Sequence, residues 1–257
     1  MDEYILITGA SSGIGYHMAI QLSEEGKNLI LVARNEEKLK KLQEELMTRY
    51  NISAHYIVKD LSIVDNAIAL YNEVKEKNLV VSGLVNNAGV GTYGEFTETS
   101  LDEELKMINL NISSLVVLNK LFARDMVERG SGRIMNISSV MAFLPFPYYS
   151  VYSATKSFVL AFTETLASEL EGTGVVVTAL CPGPIDTGFY NEEMLKANMM
   201  KSNKPVHPEV VAEAGVKLLL HGKGKKIVGF MNWFLSNLPR ITPDVLMMKI
   251  KKNLASK

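Results

Sequence analysis

The chain has 257 residues, 47% of them hydrophobic and 21% charged, with a formal net charge of −1. This balance excludes a global positive field of the kind that gathers nucleic acid or anionic membrane, and it supplies enough apolar material for a sheet buried on both faces. The lone cysteine, Cys181, cannot form an internal disulfide, so the composition fits a reducing compartment and an inert buried thiol.

Short β-branched runs alternate with longer amphipathic ones along the chain. Tyr4 to Thr8 predicts a strand, entered without a preceding basic and apolar leader, and Gly13 to Gly26 predicts a helix. A strand over Asn28 to Ala33, a charged helix over Glu36 to Tyr50, and a strand over Ala54 to Lys59 follow. A helix through Asn78 leads to a strand over Val80 to Val85, then a long helix over Leu101 to Glu128. Strand Arg133 to Ile137, a helix over Tyr149 to Leu170, strand Val175 to Cys181 and a last strand over Lys225 to Phe230 complete the pattern. Several strands are continuous apolar runs, as parallel strands covered on both faces require. Strict alternation of strand and helix predicts an α/β fold, a single-domain doubly wound parallel sheet with helices on both faces, over residues 1–257. A Met-rich insertion over 189–204 and a tail over 232–257 stand outside it. No apolar run approaches the ~20 residues that span a bilayer, and a cytoplasmic protein is expected.

Directly after the first strand comes Thr8-Gly9-Ala10-Ser11-Ser12-Gly13-Ile14-Gly15. Glycines there permit a sharp turn and close approach of backbone to a pyrophosphate, which then sits at a helix N-terminus among free N–H groups. A tight βα turn with no ligand would use glycines too, so the loop acquires meaning from its place between strand and helix. The second strand ends Ala33-Arg34-Asn35, with no carboxylate to repel a 2′-phosphate. Arg34 either holds that phosphate with its guanidinium or is a solvated residue opening a helix. The first reading favours NADPH over NADH.

Tyr152 and Lys156 stand four apart near the start of a helical pattern and share one face. A nearby ammonium favours phenolate, which suits a tyrosine to exchanging a proton with a carbonyl oxygen near neutral pH. Tyr71 and Lys75 have the same spacing, so context must separate the two pairs. Ser139 ends the fifth strand at the carboxyl edge, where such sheets bind ligands, and its hydroxyl could steady a developing oxyanion. Asn111, within a helical pattern, is either functional or part of a polar helix face.

The combination of Thr8 to Gly15, Asn86-Asn87-Ala88-Gly89, Asn111, Ser139, Tyr152-x-x-x-Lys156 and Pro182-Gly183 resembles the short-chain dehydrogenase/reductase family. The likeness spans about Tyr4 to Thr187, and the six elements stand in the family's order. The resemblance implies that Tyr152 is the general acid, Ser139 orients the carbonyl, and Lys156 lowers the Tyr152 pKa and binds the nicotinamide ribose. It further implies that Asn111 holds a water in a proton relay behind Lys156. Gly9, Ser11, Ser12, Gly13, Ile14 and Gly15 would hold the pyrophosphate, with Arg34 at the 2′-phosphate and Asp60 and Leu61 at the adenine. Asn87, Ala88 and Gly89 would line the cofactor, and Pro182, Gly183, Ile185 and Thr187 would contact the nicotinamide. Ser12 stands where some NADPH-preferring members carry a basic residue, which leaves the 2′-phosphate mainly to Arg34.

The activity so implied is reversible hydride transfer between NADP(H) and a moderately hydrophobic ketone or aldehyde: 3-oxoacyl, hydroxysteroid or general carbonyl. The alternative is a non-catalytic NADP(H)-binding sensor or scaffold, which the presence of all four site residues opposes. Met194, Leu195, Met199 and Met200 make the insertion a candidate substrate lid, and Pro145 to Tyr149 a candidate wall. The scattered histidines form no metal-ligand pattern. The family implies a homodimer or homotetramer and a small-molecule substrate, with no nucleic acid and no membrane span. The basic amphipathic tail is expected to pack on its own core or a second subunit rather than on a membrane surface.

Overall fold

The computed structural model describes residues 2–186, 205–240 and 242–255. The first apolar run forms strand β1 (Glu3–Thr8), and helix α1 (Gly13–Glu24) returns the chain to a parallel neighbour, β2 (Asn28–Ala33). Helix α2 (Glu36–Tyr50), strand β3 (Ala54–Val58) and helix α3 (Asp65–Glu76) extend that side, after which β4 (Val80–Asn86) crosses back to pair with β1. Helices α4 (Leu101–Ile108) and α5 (Leu115–Arg129) lead to β5 (Gly132–Ile137). Helix α6 (Ser150–Glu169), strand β6 (Val175–Cys181), helix α7 (Pro208–His221) and strand β7 (Gly224–Ile227) finish the sheet. Helices α8 (Phe230–Asn237) and α9 (Asp244–Ala255) form the tail.

Among the described residues all seven strands are parallel, in the order β3-β2-β1-β4-β5-β6-β7. The order reverses between β1 and β4, and the crevice at the carboxyl ends of those strands is where such sheets take ligands. Alternation within each strand sends Ile5, Ile7, Leu29 and Leu31 to one core and Tyr4, Leu6, Ile30 and Val32 to the other. Burying both faces stabilises the sheet by roughly 1.5–3 kcal/mol for each large apolar side chain.

Three predicted elements differ from what forms. The single helix expected over Leu101 to Glu128 is interrupted by a π-helical segment, Asn109–Ser114. Asn111 lies in it with its side chain bound to the backbone of Val90, so a long-range bond coincides with the widened turn. The last strand stops at Ile227, because Gly229 at φ +91° turns the chain and Phe230 begins α8 instead. The tail, expected from its sequence to end in one short helix, holds α9 and most of α8 among the described residues. The proposed lid over 189–204 lies outside the described residues. No helix among the described residues is long and apolar enough to cross a membrane.

Candidate active site

The glycine turn after β1 leaves little choice of residue. Gly9 adopts φ +66°, and a Cβ on Gly15 would stand 2.4 Å from the Gly9 carbonyl oxygen and 2.5 Å from Asn87 Nδ2. Asn87 closes the turn, donating from Nδ2 to the carbonyls of Thr8 at 2.9 Å and Gly9 at 3.1 Å. The Thr8 hydroxyl donates to Val85 O and accepts from the N–H groups of Asn87 and Ala88, both at 3.0 Å. Sequence reasoning gave Thr8 no role; it rivets the glycine turn to the end of β4. Ser12 is the N-cap of α1 but its side chain makes no capping bond, which leaves the first-turn N–H groups available to an anion.

The turn borders a cleft of about 710 Å³ along the carboxyl edge of the sheet. Gly9, Ser11, Ser12, Gly13 and Ile14 line it, with Asn87, Ala88 and Gly89. Arg34, Asp60 and Leu61 stand at one end, with Asn35, Lys38 and Lys59, which sequence reasoning passed over. Asn35 caps α2 through Oδ1 to Lys38 N at 2.9 Å, which fixes the helix start beside Arg34. Burial opposes ionisation of Asp60, yet bonds from the Ser62 N–H and hydroxyl and the charges of Arg34 and Lys106 hold its carboxyl below the ordinary value. Pro182, Gly183 and Ile185 flank the other end. Thr187 lies outside the described residues.

Ser139, Tyr152 and Lys156 meet at that second end. The Ser139 hydroxyl accepts from Met141 N at 3.1 Å, so its own proton is left to donate. Lys156 is 6% exposed, its Nζ donates to Ile137 O at 2.9 Å, and it stands 5.8 Å from the centre of the Tyr152 ring. Burial pulls the Lys156 ammonium down to about 8 from an ordinary 10.5. The control pair behaves otherwise: Tyr71 and Lys75 both bond Asp125, at 2.9 and 3.0 Å, and brace α3 against α5 on the surface. Same spacing, different chemistry.

Two of the residues named from sequence do not line the cleft but stand one layer behind it, Gly15 and Asn111. Asn111 is buried; its Oδ1 accepts from Val90 N at 3.1 Å, and Nδ2 donates to Val90 O and Thr155 Oγ1. A Cβ on Gly89 would lie 3.2 Å from Asn111 Oδ1 and 3.4 Å from Lys156 Nζ, so Gly89 keeps open the gap between them.

The wall beyond Tyr152 is aromatic and apolar. Met141, Leu144, Phe146 and Tyr149 cluster there with Met247 from α9, and Tyr93 lies 4.9 Å from the Tyr149 ring. Tyr148 takes φ +66°, a strained conformation for a bulky residue at the edge of a site. Neither Tyr93 nor Met247 carries a sequence signal that ties it to this wall. Cys181 is fully buried, and burial pushes its thiol up to about 12, as an inert thiol requires. No group of three or more metal-ligating side chains exists among the described residues.

Known proteins share this fold. The family model described as short chain dehydrogenase matches residues 3–198. The very-long-chain 3-oxoacyl-CoA reductase of Anas platyrhynchos is 32% identical, over 100% of this chain and 82% of its own. A short-chain dehydrogenase from Sphingobium yanoikuyae, solved in complex with NADPH, superposes with a TM-score of 0.81 at 26% identity, over 95% of this chain and 97% of its own. A 7β-hydroxysteroid dehydrogenase superposes with a TM-score of 0.85 over 97% of this chain and 96% of its own; at 23% identity that likeness concerns the fold alone.

Proposed function

Because the chain belongs to the short-chain dehydrogenase family of oxidoreductases, we propose that it reduces the keto group of a moderately hydrophobic substrate, a 3-oxoacyl thioester foremost, with NADPH. The observation that carries this reading is the meeting of Ser139, Tyr152 and a deeply buried Lys156 in one cleft with the glycine turn. The cleft fits a dinucleotide, since an uncapped helix N-terminus faces it and the tight packing around Gly9 and Gly15 brings bare backbone to it. When bound, the cofactor supplies hydride to the substrate carbon.

The chain's own residues do the rest. Tyr152 gives its phenolic proton to the carbonyl oxygen as negative charge develops there. The Lys156 ammonium, 5.8 Å from the ring centre, stabilises the phenolate left behind. One of its three protons is committed to Ile137 O, and the others are available to a ribose hydroxyl. Ser139 donates to the same carbonyl oxygen and fixes its position. Asn111 is a positioning residue: by tying Val90 to Thr155 it holds the segment after β4 against α6, which carries Tyr152 and Lys156.

Arg34, with Lys38 and no carboxylate at the end of β2, supports NADPH over NADH. Met141, Tyr149 and their apolar neighbours offer an acyl chain its place, and the name of the avian relative supports a 3-oxoacyl group. A reducing, cytoplasmic setting suits the lone buried thiol of Cys181. The test is NADPH oxidation against 3-oxoacyl-CoA thioesters of graded length, with steroid ketones and aromatic aldehydes for comparison. Turnover of the thioesters, faster with NADPH than with NADH, is expected. Silence across the panel despite tight NADPH binding would overturn the reading in favour of a non-catalytic sensor.

A further inference from the structure

Helix α8 is built inside out. Its polar residues face the protein: Asn232 is 6% exposed, donates to Val228 O and packs against Gly183 at the cleft, and Ser236 is buried beside it. Its aromatic residues face outward: Phe230 is 77% exposed and Trp233 52%, the two rings stacked 6.0 Å apart, with Met231 and Phe234 beside them. Helix α9 continues the surface. Met247 anchors it on the apolar wall of the site, while Val245, Leu246 and Met248 are exposed. Side chains of this size pointing outward on two successive helices need a reason, since soluble surfaces rarely gather so many.

Charge gives that reason. Helix α9 holds three lysines, Lys249, Lys251 and Lys252, against a single acid, Asp244, although the whole chain has a net charge of −1. Lys249 and Lys252 are exposed on α9 among its exposed apolar side chains, where long lysine stems can lie along apolar surface with their heads in the polar layer.

We propose that α8 and α9 form a docking surface for an anionic phospholipid bilayer. The Phe230–Trp233 stack and the apolar residues of both helices enter the boundary between headgroups and acyl chains, and the lysines meet lipid phosphates. A second copy of the chain is the weaker occupant, because a two-fold contact would set the exposed lysines of α9 against their own copies. The surface adjoins the substrate side of the cleft through Asn232 and Met247, so docking brings the site to the lipid. The inference does not depend on which carbonyl is reduced.

Trp233 is the only tryptophan in the chain, so intrinsic fluorescence reads this surface directly. The full chain is mixed with vesicles of phosphatidylcholine, or of phosphatidylcholine with about one third phosphatidylglycerol. A blue shift of emission and co-sedimentation with the anionic vesicles, lost as salt is raised, are expected. The exposed pair Lys249→Gln/Lys252→Gln should lower partitioning about thirtyfold, roughly fivefold for each lysine, while NADPH binding stays intact. Phe230→Ser should also release the protein from anionic vesicles. Emission unmoved by either vesicle would overturn the proposal, as would equal binding to both compositions. So would a dimer in sedimentation velocity whose buried Trp233 vesicles fail to displace.

Discussion

Replacing Lys156 with methionine tests the electrostatics of the site in the cofactor-free protein. Burial holds the Lys156 ammonium at about 8 in the folded chain against an ordinary 10.5. Between those values the unfolded chain binds more protons than the folded one, so this residue makes stability rise as pH increases from about 8 to 10.5. The charged lysine costs stability at neutral pH, and the cost fades at alkaline pH. The depression corresponds to about 3 kcal/mol. Lys156→Met removes that titration and also takes a donor from the Ile137 carbonyl, at a cost of about 1–3 kcal/mol. The two effects nearly offset at neutral pH, so the informative quantity is the difference between the proteins as a function of pH. Urea unfolding followed by far-ultraviolet circular dichroism should show wild type gaining about 3 kcal/mol on the variant between neutral pH and 10.5. A difference that stays flat over that range would refute a depressed Lys156.

Four further substitutions separate the parts of the site. Gly15→Ala places a Cβ 2.4 Å from the Gly9 carbonyl oxygen, a backbone atom with little freedom to yield. It should lower stability by about 1–3 kcal/mol in urea melts and weaken NADPH binding in a fluorescence titration. Arg34→Asp should shift the ratio of kcat/KM for NADPH over NADH by at least about tenfold toward NADH; an unchanged ratio would remove Arg34 from the 2′-phosphate. Ser139→Ala should cut kcat by about a hundredfold with NADPH affinity retained. Tyr71→Phe, which removes only the bond to Asp125, should cost about 1 kcal/mol of stability and leave turnover unchanged.

Much of the sheet was legible because its physics is local. Continuous apolar strands such as Leu29 to Ala33 and a glycine turn between strand and helix announce a parallel sheet and an anion site without long-range knowledge. The Tyr152 and Lys156 pair was legible only through its neighbours, and the structure shows why: Asp125, far along the chain, gives the Tyr71 and Lys75 pair its different character. The π-helical turn was hidden because it involves the bond between Asn111 and Val90, across 21 positions. A buried polar group on the sheet was equally hidden: Asn86 donates to Asn136, which also bonds Asn119 and Thr163, joining β4, β5, α5 and α6. Helix α8 lost only its first residue, Phe230, to the predicted last strand, because Ile227 to Phe230 is short and mostly apolar and such runs have no periodicity that separates strand from helix. Its outward aromatic residues follow no core-facing pattern at all.

The central claim is that Tyr152 transfers the proton in a cleft that holds NADPH, and Tyr152→Phe tests it most directly. Turnover of a 3-oxoacyl-CoA and the dissociation constant for NADPH are measured on wild type and variant together. The account predicts kcat lowered by about a hundredfold or more, with the NADPH dissociation constant nearly unchanged. Turnover equal to wild type would contradict it and send the proton's source elsewhere in the cleft.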